Sequence, residues 1–270
     1  MEQIYMYADL TRPEVNKRID DGALVVIPIG ATEQHGEHLP VNCDAFIAGT
    51  YAQRAAALAT KRGVNVLVTP TMPFGFSHHH LAFGGTISLR SRTLYAVLKD
   101  IMESLISGGV KRILFVNAHG GNNPAIAMAV NDVKRDYPEV VLAFCHAAAF
   151  GREMGKEIFP GTLGSCHACE FETSAYLAFD EAAVRKNCIK SELPEPRIPK
   201  ESLGGVTSEG VNMPFLMDQR TQCGVIGDAT KASREKGELL TTTITEGIAR
   251  TMENIAHCPL PPNSSSIRIK

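Results

Sequence analysis

Short β-branched runs alternate along the chain with longer segments that keep one apolar face, the pattern of a parallel sheet flanked by helices. The runs Ala23–Ile29, Val64–Thr71, Arg112–Asn117 and Val140–His146 predict strands. Between them, Asp44–Arg62, Thr93–Ser107 and Asn123–Asp136 predict helices, with Gly108, Gly109 and Pro138 as stop signals. A further helix is expected to begin near Ala168. The last should run from about Ala232 to Asn254, apolar on one side despite its threonines. Lys190–Gln222 is punctuated by proline and glycine and reads as long loops with short strands, an excursion from one domain. The expected fold is therefore α/β: a single-domain three-layer sandwich with a mostly parallel central sheet between helices. Residues 1–258 form that domain, and the proline- and serine-rich residues 259–270 form a flexible tail.

At 270 residues with 44% hydrophobic and 21% charged positions, the chain has an ordinary globular composition. Its 27 basic residues against 29 acidic ones give a net charge of -2, so no electrostatic footprint points to nucleic acid or an anionic membrane. A small polar substrate fits better. The opening residues lack a basic stretch followed by an apolar core, and no run approaches the roughly 18 apolar residues of a membrane span. Seven scattered cysteines, an odd number, argue against a disulfide framework and suit the cytoplasm.

Chemistry concentrates in four segments. The first, IPIGATEQHGEHLPVNCD, places Glu33, His35, Glu37, His38 and Asp44 just past the carboxyl end of the first strand, where open α/β sheets build their sites. Carboxylate oxygens with imidazole nitrogens suit Zn²⁺, Mn²⁺ or Fe²⁺, and the alternate spacing of Glu33 and His35 lets an extended turn aim both side chains one way. The second, ILFVNAHGGNNP, sets His119 at the end of the third strand, before glycines that allow close backbone approach. The third, GSCHACEFETS, offers His167, Glu170 and Glu172. If a helix begins near Ala168, one of the two glutamates turns inward and the other faces water. The fourth, FGFSHHHLAFGGTISL, holds three adjacent histidines, of which at most two can face one site.

These segments resemble the creatininase family. Gly30, Glu33, Gln34, His35, Gly36, His38, Leu39, Pro40 and Asp44 match its signature G-S-x-E-Q-H-G-x-H-L-P-x-x-x-D. In the family's order there follow Ser77, His80, Phe83, Gly85 and Thr86, then Asn117, His119, Gly120, Gly121 and Asn122. Next come His167, Ala168, Glu172 and Thr173, and finally GVIGDATKASREKG from Gly224 to Gly237. The resemblance implies a creatininase-like fold and a homo-oligomer, often a hexamer. It implies two divalent metal ions per subunit (Zn, Mn or Fe) on Glu33, His35, Asp44, His119 and Glu172, with Asp44 bridging. His167 and Glu172 would be the catalytic groups, and Ser77, His80, Gly120, Gly121 and Asn122 would bind substrate. The implied reaction is attack of metal-activated water on a carbonyl or C–N bond of a small polar metabolite, a cyclic amide or formamide; a cyclic diketone is the alternative.

Several departures bear on the substrate. Creatinine-hydrolysing members carry a glutamate where this chain has Gly121, which puts it with the glycine-pair branch. Cys169 stands where the family has glycine, while Gly84 and Ala229 replace prolines. A competing reading, thiol redox chemistry at Cys166-x-x-Cys169, lacks the early βαβ context of such motifs. An anion-holding turn at Gly120 and Gly121 lacks the lysine of a P-loop. Arg18, Lys111, Lys231 and Lys236 read as solvated surface charge.

Overall fold

Strand β1, Leu24–Ile29, is apolar at every position because both its faces are covered. Leu24 and Val26 point into one apolar cluster with helices α2 (Cys43–Lys61) and α7 (Arg234–His257). Val25, Ile27 and Ile29 point into the other, with α3 (Ser91–Ser107) and α4 (Asn123–Asp136). Strand β3, Arg112–Asn117, divides the same way: Leu114 and Val116 against Ile113 and Phe115. The result is three layers, helix, sheet and helix, in a computed structural model that describes residues 5–162, 166–193 and 214–262.

The sheet order is β2-β1-β3-β4, all parallel, with β2 at Val66–Val68 and β4 at Val141–His146. The chain leaves β1 toward β2 on one side and returns to β3 on the other, so a topological switch point lies between β1 and β3. Ile29 and Asn117 end those strands in register, and Ala118 N donates to Ile29 O. The segments after them therefore emerge side by side.

The structure differs from the periodicity at identifiable points. Strand β2 is shorter than Val64–Thr71, since Val64 N still donates to Ala59 O at the end of α2 and Pro70 has no N–H to continue a ladder. Helix α1, Arg12–Asp20, was not expected; Thr11 and Glu14 form a capping box, with Pro13 in the first turn. Arg18, read as surface charge, is half-buried and donates to Asn65 Oδ1 at 2.6 Å and Val66 O at 3.0 Å, fixing α1 to the start of β2. Helix α5, Arg152–Ile158, is a second addition. Helix α6 spans Glu170–Asp180, two residues later than expected, because Ala168 has a left-handed φ of 50°. In the loop-rich interval, β5 (Ser191–Glu192) pairs antiparallel with β6 (Gly227–Asp228), and residues 194–213 lie outside the described residues. So do residues 263–270 of the expected tail. Among the described residues no helix is long and apolar enough to cross a membrane.

Candidate metal centre

The site forms at the switch point. Gly30 ends β1 under the first turn of α2; a Cβ there would lie 2.3 Å from Ala45 N, so the missing side chain lets α2 start directly against the strand end. Asp44 sits in that first turn and Glu172 in the first turn of α6, where helix N-termini favour carboxylates. The loop after β1 carries Glu33 and His35 inward, and the loop after β3 carries His119 beside them. Glu33 and His35 are wholly buried, and Asp44 and His119 nearly so.

The five expected ligands converge. His35 Nε2 lies 3.2 Å from Asp44 Oδ1 and 3.9 Å from Glu172 Oε2. His119 Nδ1 lies 3.1 Å from Asp44 Oδ2 and 3.3 Å from Glu33 Oε1. Despite these distances, Glu33 Oε1 and Oε2, His35 Nε2 and Asp44 Oδ2 are buried without a hydrogen-bond partner among the described residues. Buried carboxylate oxygens left unsatisfied are costly, and a ring of them facing imidazole nitrogens is the arrangement a cation satisfies. The outward nitrogens of the rings are all engaged. His119 Nε2 donates to Phe76 O at 2.9 Å, and His35 Nδ1 donates to Glu33 O at 3.1 Å. Once it gives up the proton it shares with the carboxylates, each ring is thereby held in the tautomer whose lone pair faces the centre, as supporting hydrogen bonds do for metal-binding histidines. Donor types and geometry fit a divalent metal.

The histidine His167 joins the same cluster. Its Nε2 donates to Gln34 O at 2.8 Å, and its Nδ1 lies 3.6 Å from Glu33 Oε1. Three overlapping groups can each hold an ion: Glu33, His79 and His119; Glu33, His35 and His167; His35, Asp44 and Glu172. Burial, then His35 and His80, push the His167 imidazolium well below its ordinary range, so the ring is neutral at pH 7. Burial raises Asp44, but His35 and His119 outweigh it and hold the carboxyl low. Glu172 is pushed up to about 7, chiefly by burial, against the pull of His35.

A cavity of about 350 Å³ opens over these groups, lined also by His79, His80, Gly120, Gly121, His146 and Arg220. Of the residues expected to touch substrate, His80, Gly120 and Gly121 line it. Ser77 and Asn122 lie beneath: Ser77 Oγ is 3.3 Å from His119 Nε2, and the Asn122 amide donates to Gly30 O and accepts from Phe76 N. Asn117 donates to His119 O and accepts from His119 N, so the two asparagines hold the His119 loop to the β1 end. Gln34 works similarly. Its amide accepts from Gly36 N, donates to Gly224 O and lies 2.9 Å from His80 Nδ1. His38, in the signature, is buried away from the centre at 2.8 Å from Thr173 Oγ1; burial, then His35, lower its pKa to about 4.

One expectation changes here, and one competing reading loses further ground. Glu170 does not face water: it is fully buried, and its Oε2 accepts from Asp228 N at 2.8 Å. Cys166 N donates to Cys169 Sγ at 3.3 Å, and burial raises both thiols above their ordinary pKa, the opposite of a reactive thiolate.

A family model described as creatininase, creatinine amidohydrolase, matches residues 8–252. The mycofactocin precursor peptide peptidase of Mycolicibacterium smegmatis is 30% identical over 84% of this chain and 83% of its own. The 3-dehydro-scyllo-inosose hydrolase of Thermotoga maritima is 26% identical over 95% and 86%. A crystal structure of creatinine amidohydrolase superposes with a TM-score of 0.80 at 26% identity, covering 96% of this chain and 99% of that one.

Proposed function

Because the chain belongs to the creatininase family and is a hydrolase of it, we propose that Glu33, His35, Asp44, His119 and Glu172 hold two divalent cations, for hydrolysis of a carbonyl or C–N bond in a small polar molecule. One observation carries this reading: the two oxygens of Asp44 are divided between two histidines, Oδ1 at 3.2 Å from His35 Nε2 and Oδ2 at 3.1 Å from His119 Nδ1. A carboxylate so placed serves two centres at once. Zinc, manganese and iron all accept this donor set. Divalent ions held there lower the pKa of water and polarise a carbonyl oxygen.

The protein's own groups supply the rest. His167 turns its Nδ1 toward the centre while Gln34 O holds its Nε2–H, so a single ring nitrogen is available to take a proton and return it to the leaving group. Glu172, at the cavity wall, is the second acid/base group as well as a ligand. His80, Gly120 and Gly121 border the space a substrate fills. Gly121 leaves no carboxylate at the position occupied in creatinine-hydrolysing members, so we assign the chain to the glycine-pair branch, with a cyclic amide or formamide as substrate. Likeness to an inosose hydrolase over 95% of the chain supports a cyclic diketone as the second reading. Exposed Phe144 on edge strand β4, with Met128 and Leu239, supports a homo-oligomer, for which light scattering gives the mass. A cytoplasmic location belongs to the same reading.

Elemental analysis of the purified protein tests it, followed by turnover of cyclic amides, formamides and cyclic diketones before and after chelation. Two equivalents of metal per subunit and activity lost on chelation and restored by metal are expected. Full activity in stripped protein would overturn it.

A further inference from the structure

The cavity over the metal centre has one feature that the hydrolytic machinery does not use. Among its described lining residues, Arg220 is the sole lysine or arginine. The turn that carries it is fixed on both sides. Ahead of it, Met217 is buried, its carbonyl accepts from Arg220 N and Thr221 N, both at 2.9 Å, and Gln219 caps Leu216 N. Behind it, the Glu192 carboxylate accepts from Thr221 Oγ1 at 2.7 Å, Gln222 N at 2.6 Å and Cys223 N at 2.9 Å, while Thr221 Oγ1 also accepts from Gly224 N. An exposed arginine thus projects from a braced support.

Its guanidinium forms no ion pair with any described acidic side chain, Asp218 of the same turn included. The acidic groups of the cavity, Glu33, Asp44 and Glu172, are directed at one another and at the histidines. Arg220 instead adds positive charge to the surroundings of His79 and Cys166, which border the same space. Once two divalent ions are held, the three carboxylates leave one positive charge over, and Arg220 adds a second. A cavity of that sign favours an anion, and a guanidinium fork matches the two oxygens of an oxyacid.

We propose that Arg220 is a specificity-determining residue that pairs with an anionic oxyacid group, carboxylate or phosphate, on the substrate, at the end away from the bond cleaved. The inference rests on the hydrolase reading above. It narrows the substrate class to amides or formamides bearing a negative charge.

The test uses metal-loaded wild type, Arg220→Ala and Arg220→Lys. Three probes share one formamide: N-formylglycine, its uncharged carboxamide N-formylglycinamide, and the phosphate ester of N-formylethanolamine. Binding is read by isothermal titration and turnover by formate release. Wild type should bind one of the two anions at least tenfold more tightly than the carboxamide, and the tighter of them names the oxyacid. Arg220→Ala should lose that preference and leave carboxamide binding unchanged. Arg220→Lys, which keeps the charge but not the fork, should retain part of it. Charge-blind binding by wild type overturns the proposal, and so does a preference that survives in Arg220→Ala, which would place the anion on the metals. If charge-selective, Arg220-dependent binding occurs without turnover of any probe or of the wider amide and diketone panel, the role of Arg220 stands and the hydrolase reading falls.

Discussion

The two glycines after His119 make opposite predictions. A Cβ on Gly121 would lie 2.3 Å from Phe76 O and 2.4 Å from His119 Nε2, about 1 Å inside ordinary contact. A Cβ on Gly120 would meet nothing within 4 Å. The Phe76 carbonyl has little freedom, because Phe76 N is held by Asn122 Oδ1 and Ser77 N by Ser88 Oγ. In Gly121→Ala the His119 ring must therefore yield. It loses its 2.9 Å bond to Phe76 O, worth about 1 kcal/mol, and its Nδ1 shifts relative to Glu33 and Asp44. Disturbing such a supporting contact weakens metal binding roughly 10- to 100-fold, about 1.4–2.7 kcal/mol. Gly120→Ala should match wild type within about twofold, the scatter expected of a neutral surface change. Both variants would be stripped with chelator and titrated with Zn²⁺ against a chromophoric competitor, with near-ultraviolet circular dichroism reporting the fold. Equal metal affinity in folded Gly121→Ala and Gly120→Ala would refute the view that Phe76 O sets the His119 ring.

Asp44→Asn should reduce bound metal from two equivalents per subunit to one or none after dialysis, since the shared carboxylate loses its charge; elemental analysis showing full stoichiometry would count against bridging. His167→Ala should keep its metal and lose about 10²–10⁴ in kcat. An emptied site would make His167 a ligand with Glu33 and His35, a grouping the geometry permits. Burial raises the Glu192 carboxyl, but bonds from Cys223, Thr221 and Gln222 bring it down to about 2. Its stabilising effect is therefore complete above the unfolded value, roughly 4.3, and is lost as pH falls toward 2. Urea midpoints of wild type and Glu192→Gln should accordingly differ at pH 6 and draw together progressively as pH falls from about 4 to 2, whereas a constant gap would show that the charge is irrelevant.

The sheet was legible because covering both faces of a strand demands apolar residues at successive positions, and β1 and β3 satisfy that demand without interruption. Capping signals were equally present but easier to overlook: Thr11, Pro13 and Glu14 mark α1 in a segment whose polar residues hide its two buried positions, Val15 and Ile19. The convergence of the expected ligands Glu33, His35 and His119 was legible because strand-end turns of a parallel sheet come together whenever their strands are neighbours in register, as Ile29 and Asn117 are, whereas the full set with Asp44 and Glu172 came from the resemblance. What holds those ligands in place was less accessible. Gln34 reaches Gly224 across 190 positions, and Asn122 reaches Gly30 across 92, pairings that no local pattern encodes.

Glu170 and Glu172 show where periodicity ends. Their spacing places them on different faces of α6, and the structure agrees: Glu172 borders the cavity and Glu170 does not. The further step, that the outer face must be wet, assumed a helix covered on one side only. Helix α6 is buried almost all round, from Phe171 and Thr173 through Leu177, and Glu170 is sealed beneath the short strand β6 by the N–H of Asp228. Its other oxygen, Oε1, finds no hydrogen-bond partner among the described residues. A carboxylate in such a place has a positional role: it fixes β6, and the bond from Ile226 N to His167 O then ties the segment entering β6 to a residue that lines the cavity. Glu170 thus supports the site from behind, an arrangement that follows from which elements cover α6 and not from the spacing within it.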